Sequence, residues 1–194
     1  MKEKNKVWFI ADLHLGHTNV IKYSKRPFSD VHEMNETLIR NWNSVIQPGD
    51  RVYLIGDFSF QRPEDAKKTL ARLMGQIYLI AGNHDKEGVV KECVGRFVWI
   101  KDYFELKHEG QKMILCHYPF LTWNGCHRGT WNLHGHCHGS LPDSVNTYAR
   151  RLDVGVDVHN YFPISFEDVK KILDKKEFQP IDRLGRKDRV EDDD

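Results

Sequence analysis

No apolar run in this 194-residue chain approaches the ~20 consecutive residues that a membrane helix requires. Charge is not in excess either: 29 Lys+Arg stand against 28 Asp+Glu, a formal net charge of +1. That balance removes the whole-protein electrostatic case for a dedicated nucleic-acid binder and leaves only a local basic patch to consider. Cysteines are few, and Cys93, Cys116, Cys126 and Cys137 form no C-x-x-C pair. The opening MKEKNKVWFIAD lacks the zones of a signal peptide. Together these features predict reduced thiols, no membrane partner and a cytoplasmic location.

At roughly 100–200 residues per domain the length predicts one domain, and a chain of this size buries enough surface to fold without staples. Residues 1–182 are read as that domain. Residues 183–194 (RLGRKDRVEDDD) are charged, lack apolar periodicity and read as a disordered tail. Continuous apolar runs at Val7–Ala11, Arg51–Ile55, Ile77–Ala81 and Met113–Cys116 predict strands buried on both faces. Trp131–His134 and Leu152–Val158 carry the same signal more weakly. Val31, Met34, Leu38, Trp42 and Val45 recur at helical spacing behind Asp30 and Glu33, which resemble a capping box. Pro63 opens a second helix toward Leu73, and Ser165 to Lys175 forms a last one. Strand alternates with helix in the first half and strands dominate the second, which predicts an α/β layered domain.

What the chain has in plenty is histidine: 11 in all, six of them between positions 117 and 159. Histidine is the commonest metal ligand and titrates near neutrality. Each predicted strand, moreover, ends in a polar tip. The first runs into Asp12-Leu13-His14, the second into Gly56-Asp57, and the third into Gly82-Asn83-His84-Asp85. The fourth ends in His117, and Trp131–His134 leads into Gly135-His136-Cys137-His138. In α/β sheets the crevice beyond the carboxyl ends of the strands is where ligands bind. Asp12, His14, Asp57, Asn83, His117, His136 and His138 offer seven oxygen or nitrogen donors, too many for one tetrahedral ion. They suit two ions about 3.5–4 Å apart, with Asp57 as the natural shared carboxylate. Donors of this type leave Mn²⁺, Fe²⁺ and Zn²⁺ open. Cys137 is read as buried filler that strand alternation points away from the ligands.

In this order the blocks resemble those of the calcineurin-like metallophosphoesterases, in a small single-domain member of bacterial or phage type. The matching blocks are DLH at 12–14, GD at 56–57, GNHD at 82–85, His117 and GHCH at 135–138. The resemblance spans about Val7 to His159. It implies a four-layer α/β/β/α sandwich of two mixed sheets flanked by helices, with two divalent ions at the sheet ends. Manganese is the expected metal, with iron, zinc and nickel as the other candidates. One ion would take Asp12, His14, Asp57 and His138, the other Asp57, Asn83, His117 and His136. A hydroxide held between them would attack phosphorus in line. His84 would stand unligated beside the phosphate, protonated and oriented by Asp85 on its other nitrogen, and Asn83 would also touch substrate.

The implied activity is hydrolysis of a phosphomonoester or phosphodiester, a nucleotide among the candidates. The alternatives are a small nuclease with the same centre and a non-catalytic scaffold that keeps the fold. Residues near the blocks in sequence supply candidate substrate contacts: His17, Arg26, Tyr118 and Arg128, with Asn124 and His127 beside them. His17 is expected either at the substrate or at the cap of a following helix. His134 is expected either to support a ligand or to be structural, and His159 to lie in the core or at the surface. A homodimer is an open possibility through Trp8, Trp99, Trp123 or Phe104.

Overall fold

A computed structural model describes residues 5–142 and 149–179. The charged segment 183–194 lies outside the described residues. Apolar runs without polar alternation need cover on both faces, and two stacked mixed sheets with flanking helices supply it. In the first sheet β1 (Val7–Ile10), β2 (Arg51–Ile55), β3 (Gln76–Ile80) and β4 (Phe97–Lys101) run parallel. β9 (Ile164–Ser165) lies antiparallel beside β1, giving the order β4-β3-β2-β1-β9. In the second sheet β5 (Tyr103–His108) pairs antiparallel with β6 (Gln111–Cys116). β7 (Trp131–His134) and β8 (Arg151–Asp153) continue it in parallel, giving β5-β6-β7-β8.

Successive side chains on a strand point to opposite faces, so each central strand feeds two cores. Trp8, Ile10, Val52, Leu54, Ile77 and Leu79 pack against α2 (Val31–Val45) and α3 (Pro63–Ala71) through Met34, Leu38, Trp42 and Leu70. Val7, Phe9, Tyr53, Ile55 and Ile80 turn the other way and meet Met113, Leu115, Trp131 and Leu133 between the sheets. α5 (Phe166–Asp174) adds Phe166, Val169 and Leu173 to that inter-sheet core. On the far face of the second sheet, Ile114 packs with Trp123 and Cys126 from the 118–130 loop. Among the described residues no helix is long and apolar enough to cross a membrane.

Asp30 caps α2 by accepting from the Glu33 N–H at 2.8 Å, while the Glu33 carboxylate reaches back to the N–H and hydroxyl of Ser29. The box is therefore closed one residue earlier than its sequence spacing suggests. The structure also corrects the element count. β4 and β5 are edge strands whose exposed positions break the apolar run, which hides them from a search for buried strands. α1 (Thr18–Tyr23) and α4 (Glu87–Cys93) are short, and the strand expected at 152–158 gives way to a 3₁₀ turn at Val156–Val158.

Trp42 is wholly buried and its indole N–H donates to the Met74 carbonyl at 2.9 Å. Trp42→Ala is expected to cost about 3–5 kcal/mol, as a cavity plus an orphaned carbonyl. Denaturant unfolding measures it, and a loss below about 1 kcal/mol would contradict this account of the core.

Candidate metal centre

At the carboxyl ends of the strands the backbone repeatedly turns left-handed at residues that are not glycine. Asp12 has φ 58°, His14 51°, Asp57 56°, His136 69° and His138 46°. Such conformations cost of order 1–3 kcal/mol each and collect at functional sites. Neighbouring glycines make room. A Cβ on Gly56, itself at φ 85°, would strike the His117 ring, and one on Gly82 would strike the Asp57 carboxylate. The loops are laced together through backbone bonds: Asp12 N–H donates to Gly56 O at 3.0 Å, and His14 N–H to Asp57 O at 2.9 Å.

The result is a convergence of acceptors. The His117 Nδ1–H donates to the Ile55 carbonyl at 3.0 Å, so its Nε2 carries a lone pair. That lone pair lies 3.0 Å from Asn83 Oδ1 and 3.5 Å from Asp57 Oδ2. The same Asp57 Oδ2 lies 3.4 Å from His14 Nε2. Among the described residues, neither ring nitrogen of buried His14 has a hydrogen-bond partner. His136 joins through Nδ1, 3.0 Å from Asn83 Oδ1. Ligand atoms of Asp12, His14 and His138 lie within 4.8 Å of one another, and so do those of Asp12, Asp57 and His117. Lone pairs gathered without donors repel unless a cation stands among them, and this donor set fits divalent ions. Asp12 belongs to both of these groups, whereas Asp57 belongs to one.

Electrostatics express the same demand. Burial pushes the Asp12 carboxyl up to about 8, with Asp153 and Asp57 adding to the effect. Burial drives His14 down to about 2 and holds His117 below the ordinary imidazole range. Burial also works against charge on His138, but its bond to Asp157 and the nearby Asp12 prevail and raise its pKa.

Behind His138 stands a support absent from the sequence reading. Asp157 Oδ2 accepts from His138 Nδ1 at 2.6 Å, which leaves Nε2 free as a ligand atom. Arg26 grips both Asp157 oxygens at 2.8 Å and donates to the carbonyls of Asp12 (2.7 Å) and Leu13 (3.0 Å). The expectation that Arg26 meets substrate is corrected: its guanidinium is fully buried and braces the first loop against Asp157. Asp157 lies 131 residues from Arg26, and its only sequence signal was a carboxylate near a predicted strand end.

The other candidates divide. His17 lines the cleft, its ring stacked on Phe60 at 3.9 Å, and its side chain makes no cap to α1. His84 also lines it, 4.9 Å from Phe60 and 5.7 Å from His14. Tyr118 packs edge-on to His136 at 4.8 Å. Asp85 does not orient His84. Its carboxylate accepts from the N–H groups of Asp57, Phe58 and Gly82 at 2.8–2.9 Å, tying the second loop to the third. Arg128 is corrected too: it borders a cavity with Gln111, Lys112 and Thr130 at the amino ends of β6 and β7, the opposite end from the histidines. Asn124 is near it, bonded to Glu105 at 3.0 and 3.1 Å. Cys137 is half-buried and lines the histidine cleft, because residues 135–138 form a turn rather than a strand and alternation does not apply. His134 is buried at the end of β7, and His159 Nε2 bonds the Asp153 carbonyl at 2.8 Å.

The site is thus an α/β sandwich whose strand ends gather carboxylate, carboxamide and imidazole groups. Residues 27–152 match the calcineurin-like phosphoesterase superfamily domain. An uncharacterized protein of Methanocaldococcus jannaschii is 37% identical over 175 residues, covering 88% of this chain and 92% of that one. The gene 66 protein of Mycobacterium phage L5 is 25% identical over 178 residues, covering 77% and 86%. A crystal structure of an Aquifex aeolicus protein of unknown function superposes with a TM-score of 0.71 at 25% identity, over 87% of this chain and all of that one. The chain belongs to the calcineurin-like phosphoesterase superfamily. It is a phosphoesterase.

Two outcomes follow for the centre. Asp157→Ala is expected to weaken divalent-ion binding about 10–100-fold, read by calorimetry, since it removes the group that orients His138; unchanged affinity refutes that role. The second concerns protein stripped by a chelator. Above pH 6.5 the folded state keeps protons on Asp12 and His138 that the unfolded chain has lost, so stability falls as pH rises toward 8. Below 6.5 the unfolded chain protonates histidines that stay neutral when folded, His14 and His117 among them, so stability falls as pH drops. Melting temperature should therefore peak at about pH 6.5, and a steady rise from there to 8 contradicts this balance.

Proposed function

We propose that this phosphoesterase works through two divalent ions. Asp12, His14, Asp57 and His138 would hold one, and Asp57, Asn83, His117 and His136 the other, with Asp12 as an added neighbour of both. The observation that carries this reading is the convergence of His117 Nε2, Asn83 Oδ1 and Asp57 Oδ2, three acceptors with no donor between them. When bound, two such ions neutralise a phosphoester's charge and make hydroxide available near neutral pH. Manganese is the first expectation, with iron, zinc and nickel also compatible. The substrate would be a small phosphomonoester or phosphodiester. Cytoplasmic location is part of the same reading, supported by cysteines that are not joined in disulfides among the described residues.

The chain's own groups do the rest. Asn83 is exposed and turns its carbonyl oxygen toward two imidazoles, so its amide N–H₂ is left to donate to a phosphate oxygen. His84 is anchored by its backbone N–H, which donates to Asp57 Oδ1 at 2.9 Å. Its imidazole borders the cleft, where it can donate to an equatorial phosphate oxygen or give a proton to the leaving oxygen. His17 and Tyr118 border the same floor and complete its rim.

Hydrolysis of bis-p-nitrophenyl phosphate and p-nitrophenyl phosphate, with manganese and after EDTA, tests this directly. Activity should vanish on chelation, and elemental analysis should give two equivalents of metal. His84→Ala should lower kcat by about 10²–10⁴-fold with metal content unchanged. Activity surviving EDTA, or a His84→Ala protein that has lost its metal, contradicts the assignment. Full occupancy with no turnover on any phosphoester would favour the scaffold reading.

A further inference from the structure

The histidine floor occupies one side of a cleft of about 610 Å³, within the range of sites that hold a whole small molecule rather than a phosphate alone. The cleft is also lined by α1 and the turn after it, through Val20, Tyr23, Ser24 and Lys25. Tyr23 is the most exposed large apolar side chain among the described residues, at 76%. Its one ring contact there is edge-on to His17 at 6.4 Å and 74°, which leaves a ring face uncovered. His17 cannot close over that face, since its own ring is stacked on Phe60 at 3.9 Å.

Lys25 stands in the left-handed region at φ 51°, at the turn where the chain goes from exposed helix to buried Arg26. Among the described residues its ammonium is in no ion pair. An open tyrosine face and an unpaired cation therefore border the same cleft as the phosphate-handling residues.

We propose that this wall is a subsite for a flat aromatic group esterified to the phosphate, a nucleobase-bearing substituent, with Tyr23 as the stacking residue and Lys25 countering the substrate's negative charge. The proposal rests on the phosphoesterase reading of the histidine floor and adds the substrate class. Aromatic stacking tolerates different bases, because every base has a π face, so the subsite selects the class rather than one member.

The test compares AMP with ribose 5-phosphate, which share the phosphate and sugar and differ in the ring. Calorimetry on the metal-loaded protein measures affinity, and phosphate release is followed separately. AMP should bind about tenfold more tightly than ribose 5-phosphate. Tyr23→Ala should abolish the difference and Tyr23→Phe should keep it, while Lys25→Ala should weaken both ligands alike and flatten their salt dependence. Melting temperatures of all variants confirm folding. Equal affinities in the unmodified protein, or an AMP preference that survives Tyr23→Ala, overturn the proposal. If the preference and its loss are seen but no phosphate is released from either probe or from aryl phosphoesters, hydrolysis is the part that fails and the aromatic subsite stands.

Discussion

The structure depends on holding mutually repelling acceptor atoms in one small volume. Asp57 Oδ2 lies 3.4 and 3.5 Å from imidazole nitrogens of His14 and His117, and Asn83 Oδ1 lies 3.0 Å from His117 and from His136. Gathering these groups in a buried place has an energetic cost. It costs desolvation of two aspartates and adds five left-handed non-glycine residues. Because net stability is a small remainder of large opposing terms, the two apolar cores must offset that cost before any ion binds. Five strand ends then converge at one place, and the stiffness of the sheets sets its dimensions.

Each arm is braced from behind by a group that offers nothing to substrate. The Ile55 carbonyl fixes the His117 tautomer, and the His136 N–H bonds both Asp12 oxygens at 3.0 and 3.1 Å. Asp157 does for His138 what Ile55 does for His117, and Arg26 carries that support back to the carbonyls of the first loop. Asp85 belongs with these braces. Three backbone N–H groups converge on its carboxylate, and burial raises its pKa despite them. A carboxylate so engaged cannot also orient His84.

Much of this was legible in the sequence because strands and ligands are read in different alphabets. Apolar runs mark central strands, and a polar residue where such a run stops marks a tip, so β1, β2, β3, β6 and β7 and the polar tips behind them were visible. Edge strands were not, since β4 and β5 mix exposed and buried positions along their length. Neither was the bracing, because a hydrogen bond between Arg26 and Asp157 leaves no local pattern. Proximity in sequence misled where it stood in for proximity in space. Arg26 follows the first block closely yet turns inward, and Arg128 sits between two blocks yet emerges at the far end of the sheet.

The same contrast separates chemistry from selectivity. The donors sit at ends of buried strands, where position is dictated by packing and tolerance for displacement is small. Tyr23 and Lys25 sit on a six-residue helix and the turn after it, exposed and packed against little. On the proposed reading, a side chain there would change what the cleft accepts without moving the strand-end donors. Arg26 makes this arrangement possible. By anchoring the chain immediately after Lys25 to the carbonyls of Asp12 and Leu13, it fixes where the exposed wall begins relative to the buried floor. One buried guanidinium thus ties the loop that carries Asp12 to the turn that carries Lys25, so the proposed reactive and recognising ends of the cleft would keep a constant relation.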